Sequence, residues 1–307
     1  MDKKKKITGH LFAFITIFIW GTTFISTKIL LNTLSPIEIL FLRFTIGFTA
    51  LWLICPHKLK IKRKKHELYF AAAGLCGVTL YFLLENMALT YTLASNVGVI
   101  ISISPFFTAI FAYLFLNGEK WNLNFLIGFA AAIMGIFLIS FNGNNNLKLN
   151  PLGDILAVLA AVIWAAYSVL TKKISEFHYS TIQTTRRIFT YGLIFMIPAL
   201  LIFDFNPNIS LLTQPVNLFN ILFLGLGASA LCFVTWNYTV EILGAVKTSV
   251  YIYIVPVITV ITSFIILQEK ITGTTVFGTM LTIAGLLISE DKIIIKTKKG
   301  ILKNLES

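Results

Sequence analysis

Ser102–Lys120 reads SISPFFTAIFAYLFLNGEK: a proline inside an apolar run, then aromatics, then a Glu-Lys pair where the run stops. The pattern returns once, at Tyr253–Lys270, as YIVPVITVITSFIILQEK. Pro105 matches Pro256 and Glu119-Lys120 matches Glu269-Lys270, about half of the 307-residue chain apart. One repetition over this distance points to two copies of one unit.

Outward from these stretches the correspondence holds. Trp20 aligns with Trp164, Thr27-Lys28 with Thr171-Lys172 and Arg43 with Arg187, all at a spacing of 144. Asn86 aligns with Asn237 and Ala94 with Ala245 at 151; Gly128 aligns with Gly278 and Gly135 with Gly285 at 150. The matches are colinear with small insertions. The Asn-rich run NGNNNLKLNP at 142–151 lies at the midpoint and is the linker between halves. The boundaries read from this are 10–141, 152–290 and a basic tail at 291–307.

The chain is 57% hydrophobic and 12% charged, with a mean hydropathy of +0.84. Soluble domains are about 45–50% apolar, so this composition requires lipid around the chain. A helical span takes about 20 mostly apolar residues. Ten such stretches are readable: 10–31, 36–56, 68–90, 94–117, 122–141, 152–172, 181–203, 217–240, 246–267 and 273–290. Lys3–Lys6 before the first apolar stretch could mimic a signal peptide, but the stretch is long and lacks a small-residue cleavage site, so it reads as the first span. Each half holds five spans, an odd number, so the second copy enters the membrane from the opposite face. The expected fold is all-α integral membrane, with ten transmembrane helices as two inverted five-helix repeats, a layout of secondary transporters.

The net charge of +12 is concentrated at 1–6, 57–67 and 291–307. Short basic clusters beside apolar spans are topology signals rather than a nucleic-acid footprint. With both termini inside, nineteen bases fall on cytoplasmic segments and three on outer ones. The expected location is the cell (inner) membrane, with N- and C-termini cytoplasmic. The tail stretch KIIIKTKKGILK, Lys292–Lys303, reads either as lying on the anionic leaflet or as a solvated positive-inside tail. Cys55, Cys76 and Cys232 sit in or beside apolar runs without metal-ligand spacing, so no metal is expected. The chain contains no HExxH, P-loop or nucleophile elbow. Neither an enzyme, an ATP motor nor a cofactor site is expected.

Five-span halves, Trp20-Gly21 in the first span and a P-x(12–13)-E motif closing the fourth resemble the drug/metabolite transporter superfamily. The closer likeness is to its ten-span branch of paired EamA-type domains, over about 10–290. The resemblance implies an exporter of amino acids, amines or other metabolites, and it places Glu119 and Glu269 in the family's helix-end signature. Trp164-Ala165 departs from the Trp-Gly pattern, which breaks the symmetry of close packing there.

Several residues are candidates for the transport path. Pro105 and Pro256 each remove a helix hydrogen bond and free a carbonyl one turn back, near Ser102, Ser104, Tyr251 and Tyr253. These are hinges with a substrate-coordinating turn, or packing kinks. Arg43 and Arg187 cost ~2.5–3.5 kcal/mol each inside a bilayer; each is a carboxylate anchor, or snorkels, or pairs with an acid such as Glu38. Asn86 and Asn237 offer donors and acceptors to a zwitterion, or glue helices together. Glu85 could take a coupling proton, although its position near a span end reads equally as a solvated carboxylate. Trp20, Tyr81, Trp164, Tyr167, Trp236 and Tyr238 are candidates for an aromatic cavity wall. Gly74, Gly77, Gly128, Gly135, Gly225 and Gly227 are candidates for close helix approach.

The reading is a secondary transporter, favoured as an exporter of amino acids or their derivatives, working by alternating access. Its partners are a small-molecule substrate and the lipid bilayer, with no nucleic acid, as a monomer or a homodimer. The alternatives are an importer or exchanger of a nucleotide-derived or cationic metabolite, and a non-transporting receptor or assembly protein.

Overall fold

The computed structural model describes residues 3–116, 123–141, 151–203, 205–268 and 272–289. Glu119, Glu269, the linker 142–150 and the tail 291–307 lie outside the described residues. Within them the chain is all-helical. The long helices are α1 Lys3–Leu30, α2 Pro36–Ile54, α3 Lys65–Tyr91, α4 Ala94–Phe115, α5 Leu123–Phe141, α6 Pro151–Ser175, α7 Thr181–Ile202, α8 Pro215–Leu243, α9 Ala245–Ile266 and α10 Gly273–Ser289, with one further helical turn, Ile209–Leu212, between α7 and α8. Eight are long and apolar enough to cross a membrane; α5 and α10 carry shorter apolar stretches, Leu123–Gly135 and Val276–Gly285. Phe14, Phe18, Trp52, Leu201, Ile202, Phe264 and Ile265 point outward and are exposed. A surface of this kind is untenable in water and is the expected lipid-facing surface of a multi-pass membrane protein.

Local chemistry sets the helix starts. Ser35 and Glu38 form a reciprocal capping box at α2, with Pro36 in its first turn. Glu38 is thereby engaged at a helix start and is not the partner of either arginine. The α4 helix is interrupted at Ser102-Ile103, where Ser102, Ile103 and Phe106 donate to the carbonyls three residues back. In α9 the segment Val250–Ile254 is a 3₁₀ turn that ends directly before Val255-Pro256. Both prolines therefore stand beside a break in the helix, which their missing N–H favours; Pro198 lies inside α7 without one.

Two features were not legible in the sequence. Leu75–Leu80 in α3 and Phe223–Leu231 in α8 are π-helical. Shifted by the 151-residue repeat spacing, the first falls inside the second. Wide turns of this kind are rare and often occur at functional sites.

Small residues bring backbones together, which is how helices associate where lipid removes the hydrophobic drive. A β-carbon on Gly74 would lie 2.6 Å from the Ile188 carbonyl oxygen and 2.7 Å from the Gly192 nitrogen. Its repeat mate Gly225 meets Ile46 at 2.6 Å and the Arg43 carbonyl at 3.2 Å. Gly135 faces the Gly278 carbonyl, and Gly285 faces the Gly128 carbonyl, so α5 and α10 cross antiparallel. Gly77 lies against the Tyr167 ring, and Gly21 against Ile258. Gly227 is the exception: nothing comes closer than 3.6 Å, so it carries no close approach.

Candidate functional site

A continuous aromatic cluster fills the space between α1, α2, α3, α6, α7 and α8. Trp20 meets Trp164 edge-on at 5.1 Å and Trp236 at 5.0 Å; Trp164 stands 5.9 Å from Trp236, 4.7 Å from Tyr81 and 5.0 Å from Tyr167. Phe233 touches Trp20, Trp164, Tyr167, Phe44, Phe82 and Phe189. Trp20 and Trp164, paired by the repeat, are thus in direct contact. The sequence reading missed Phe233 and its phenylalanine neighbours. Their one available signal was helical spacing, with Phe233 three residues before Trp236 and Phe44 beside Arg43.

Arg43 sits in this cluster with none of its surface exposed. Its guanidinium carbon lies 4.3 Å from the Phe82 ring centre and 5.4 Å from that of Phe44, a cation–π environment. Nε donates to the Ser229 hydroxyl in the π segment of α8 at 3.1 Å. Nη1 and Nη2 are buried and have no hydrogen-bond partner among the described residues. Glu85 interacts electrostatically with Arg43 and Tyr81. It is 1% exposed, so the solvated carboxylate its span-end position allowed is not what the structure holds. One carboxylate oxygen, Oε1, and the indole N–H groups of Trp164 and Trp236 are likewise buried and unpartnered. Such groups cost roughly 1–3 kcal/mol each, and a cluster of them with both signs of charge calls for a functional explanation. The remaining indole N–H, on Trp20, donates to the Ala228 carbonyl at 3.0 Å.

The other sequence candidates are placed differently. The Tyr167 hydroxyl donates to Asn237 Oδ1 at 2.7 Å, and Asn237 Nδ2 donates to the Thr185 hydroxyl at 2.9 Å, tying α6, α8 and α7 together. Asn86 Nδ2 donates to the Pro36 carbonyl at 3.1 Å, with Oδ1 unpartnered. The Ser102 hydroxyl donates to the Gly98 carbonyl at 2.8 Å and reaches the Ile252 carbonyl at 3.5 Å, linking the two interrupted helices. Tyr253 is buried with Ala109, Phe125, Ala132 and Val250.

Arg187 does not occupy a site like that of its repeat mate. Its side chain is 37% exposed and pairs with Glu67, which also accepts from the Tyr191 hydroxyl at 2.7 Å. Arg186 is the buried member, 7% exposed, and donates to the Cys55 and His57 carbonyls beyond the end of α2. A half-exposed ion pair contributes about 0–1 kcal/mol. Arg187→Gln is therefore expected to leave both melting and transport rate within about threefold of the parent, as solute flux in liposomes checks.

A helical membrane protein with a buried charged and aromatic centre is the class these features define. The EamA-like transporter family model matches residues 7–141 and again 151–290. The chain belongs to the EamA-like transporter family, within the drug/metabolite transporter superfamily. An uncharacterized transporter of Archaeoglobus fulgidus is 30% identical over 288 residues, covering 92% of this chain and 97% of its own. A protein of Streptantibioticus cattleyicolor named as a probable terminal-alkyne amino-acid exporter is 26% identical over 278 residues, covering 89% and 90%. A crystal structure of 18% identity superposes with a TM-score of 0.69 over 91% of this chain and 95% of that one. At that identity the likeness concerns the fold alone.

Proposed function

We propose that the protein is a secondary active exporter of small organic metabolites, amino acids or their derivatives, with ten spans arranged as two inverted five-helix halves. The observation that carries this is the burial of Arg43 and Glu85 together, in electrostatic range but without a direct ion pair, with unpartnered polar atoms beside an aromatic cluster built by both halves. The family supports transport, and one relative's name supports amino-acid cargo. The antiparallel crossing of α5 and α10 supports inversion, because repeat-equivalent glycines meet reciprocally. In this reading Arg43 receives the cargo carboxylate and Glu85 carries the coupling proton. Trp20, Tyr81, Trp164 and Trp236 hold the cargo's organic body. The breaks at Pro105 and Pro256 are the hinges. The termini are cytoplasmic and the membrane is that of the cell.

Overexpression in cells is expected to raise resistance to toxic amino-acid analogues, and purified protein in liposomes to move such solutes down a gradient. A protein that moves no solute under any gradient would leave the receptor reading in place. Labelling is expected to find the 118–122 and 267–272 turns on opposite faces; the same face for both overturns the inversion.

A further inference from the structure

Two lysines from repeat-equivalent positions each hold the end of a helix in another body of the molecule. Lys28 Nζ on α1 donates to the Leu89 carbonyl at 2.6 Å and to the Thr92 carbonyl at 3.0 Å. Lys172 Nζ on α6 donates to the Glu241 carbonyl at 3.4 Å. Thr92 caps α3, and Gly244 caps α8. Leu89 and Glu241 thus each stand three residues before a cap, among the last carbonyls that an α-helix leaves without an internal partner. A cation there satisfies the carbonyl and faces the negative end of the helix dipole.

The packing makes these contacts more than caps. The α1 helix packs chiefly on α8 and α9, and α2 on α8; α3 packs chiefly on α6 and α7, and α4 on α6 and α9. The groups α1, α2, α8, α9 and α3, α4, α6, α7 are two bodies that each mix helices from both halves, and they meet where α4 packs on α9. Lys28 bridges from the first body to the second, and Lys172 bridges from the second to the first. Under the inverted arrangement they do so at opposite membrane faces.

We infer that Lys28 and Lys172 are paired positioning residues, latches that fasten the outer and inner ends of the transport path, one at each face. The inference rests on the transporter reading, since a latch has a role only in a molecule that opens. The two are unequal in this conformation. Among the described residues Lys28 makes at least two bonds in a part-buried setting, while Lys172 makes one longer bond in an exposed one. The outer face is therefore held the more firmly.

The native Cys232 supplies a reporter that needs no knowledge of the cargo. It is fully buried on α8 and interacts with Arg43. In a Cys55→Ser, Cys76→Ala background, its labelling by a membrane-impermeant maleimide is followed from outside in cells and from inside in inverted vesicles. Lys28→Met is expected to speed labelling from the outer face by about tenfold, the equivalent of roughly one lost charge-assisted bond. Lys172→Met is expected to speed it from the inner face by about threefold, in line with its weaker bond. Lys28→Arg and Lys172→Arg, which keep the cation, are expected to stay near the parent rate. If Lys28→Met fails to accumulate, Lys28→Gln tests the same loss of charge. Unchanged labelling in both variants, or arginine behaving like methionine, overturns the latches. Acceleration at the same face for both overturns the latches together with the inversion. Swapped faces support the latches and overturn only the assigned orientation. Because labelling is independent of solute flux, failure of the latches and failure of the transport reading give different results.

Discussion

Arg43→Met is expected to abolish transport and to destabilise the protein by about 3 kcal/mol, whereas adding Glu85→Gln restores most of the stability but none of the transport. Methionine keeps a flexible apolar chain against Phe82 and Phe44, so packing is largely preserved. The charge is what disappears. Glu85, 1% exposed, then lacks its buried electrostatic partner. Removing one member of a buried charged pair costs about 3–5 kcal/mol, because the survivor is left uncompensated in a poor dielectric. Neutralising the survivor removes that cost. It cannot supply the two N–H groups that a cargo carboxylate would take, so the melting temperature and the flux should separate in the double variant. Thermal melting of purified protein, with flux in liposomes, checks both. Unchanged uptake kinetics for a carboxylate solute in Arg43→Met would remove the anchor role. Full loss of melting stability in the double variant would show that Glu85 is not the group Arg43 compensates.

The contrast between Arg43 and Arg187 shows what sequence symmetry carries and what it does not. Their equal spacing and their cost inside a bilayer were readable residue by residue. The fate of each depended on neighbours distant in sequence: Ser229 for Arg43, and for Arg187 the carboxylate of Glu67. Repeat alignment places Trp236 opposite Glu85, so the carboxylate has no counterpart in the second half. The tryptophans fared better: repeat pairing singled out Trp20 and Trp164, and these two share one core with Trp236, whereas Phe18, two residues from Trp20, faces outward. The breaks beside Pro105 and Pro256 were signalled by proline, though proline alone does not break a helix here, since Pro198 lies inside α7. The π segments had no local signal. A widened turn depends on what presses on it, here the close contacts of Gly74, Gly77 and Gly225 with neighbouring helices.

Gly74→Val is expected to keep the protein from accumulating in the membrane, while Gly227→Ala is expected to be silent. The two glycines occupy similar stretches of α3 and α8, each inside or beside a π segment. At Gly74 any β-carbon would press on the Ile188 carbonyl oxygen and the Gly192 nitrogen. These are backbone atoms that cannot rotate away, so α3 and α7 would have to separate. Separation opens the interface where Val78 packs on Gly192 and where the Thr79 hydroxyl donates to the Gly192 carbonyl at 2.9 Å. Overpacking of this kind costs about 1–3 kcal/mol when side chains can adjust, and more when backbone must move. In a membrane, helices held by close backbone contact have little other drive to reassociate. At Gly227 the nearest atom is a Phe223 ring carbon at 3.6 Å, an ordinary van der Waals distance, so a methyl group fits. Fluorescence-detected size-exclusion chromatography of tagged variants separates the outcomes. A monodisperse Gly74→Val peak at parental yield would mean that α3 and α7 are not locked together there, and a collapsed Gly227→Ala peak would mean that this turn of α8 is packed after all.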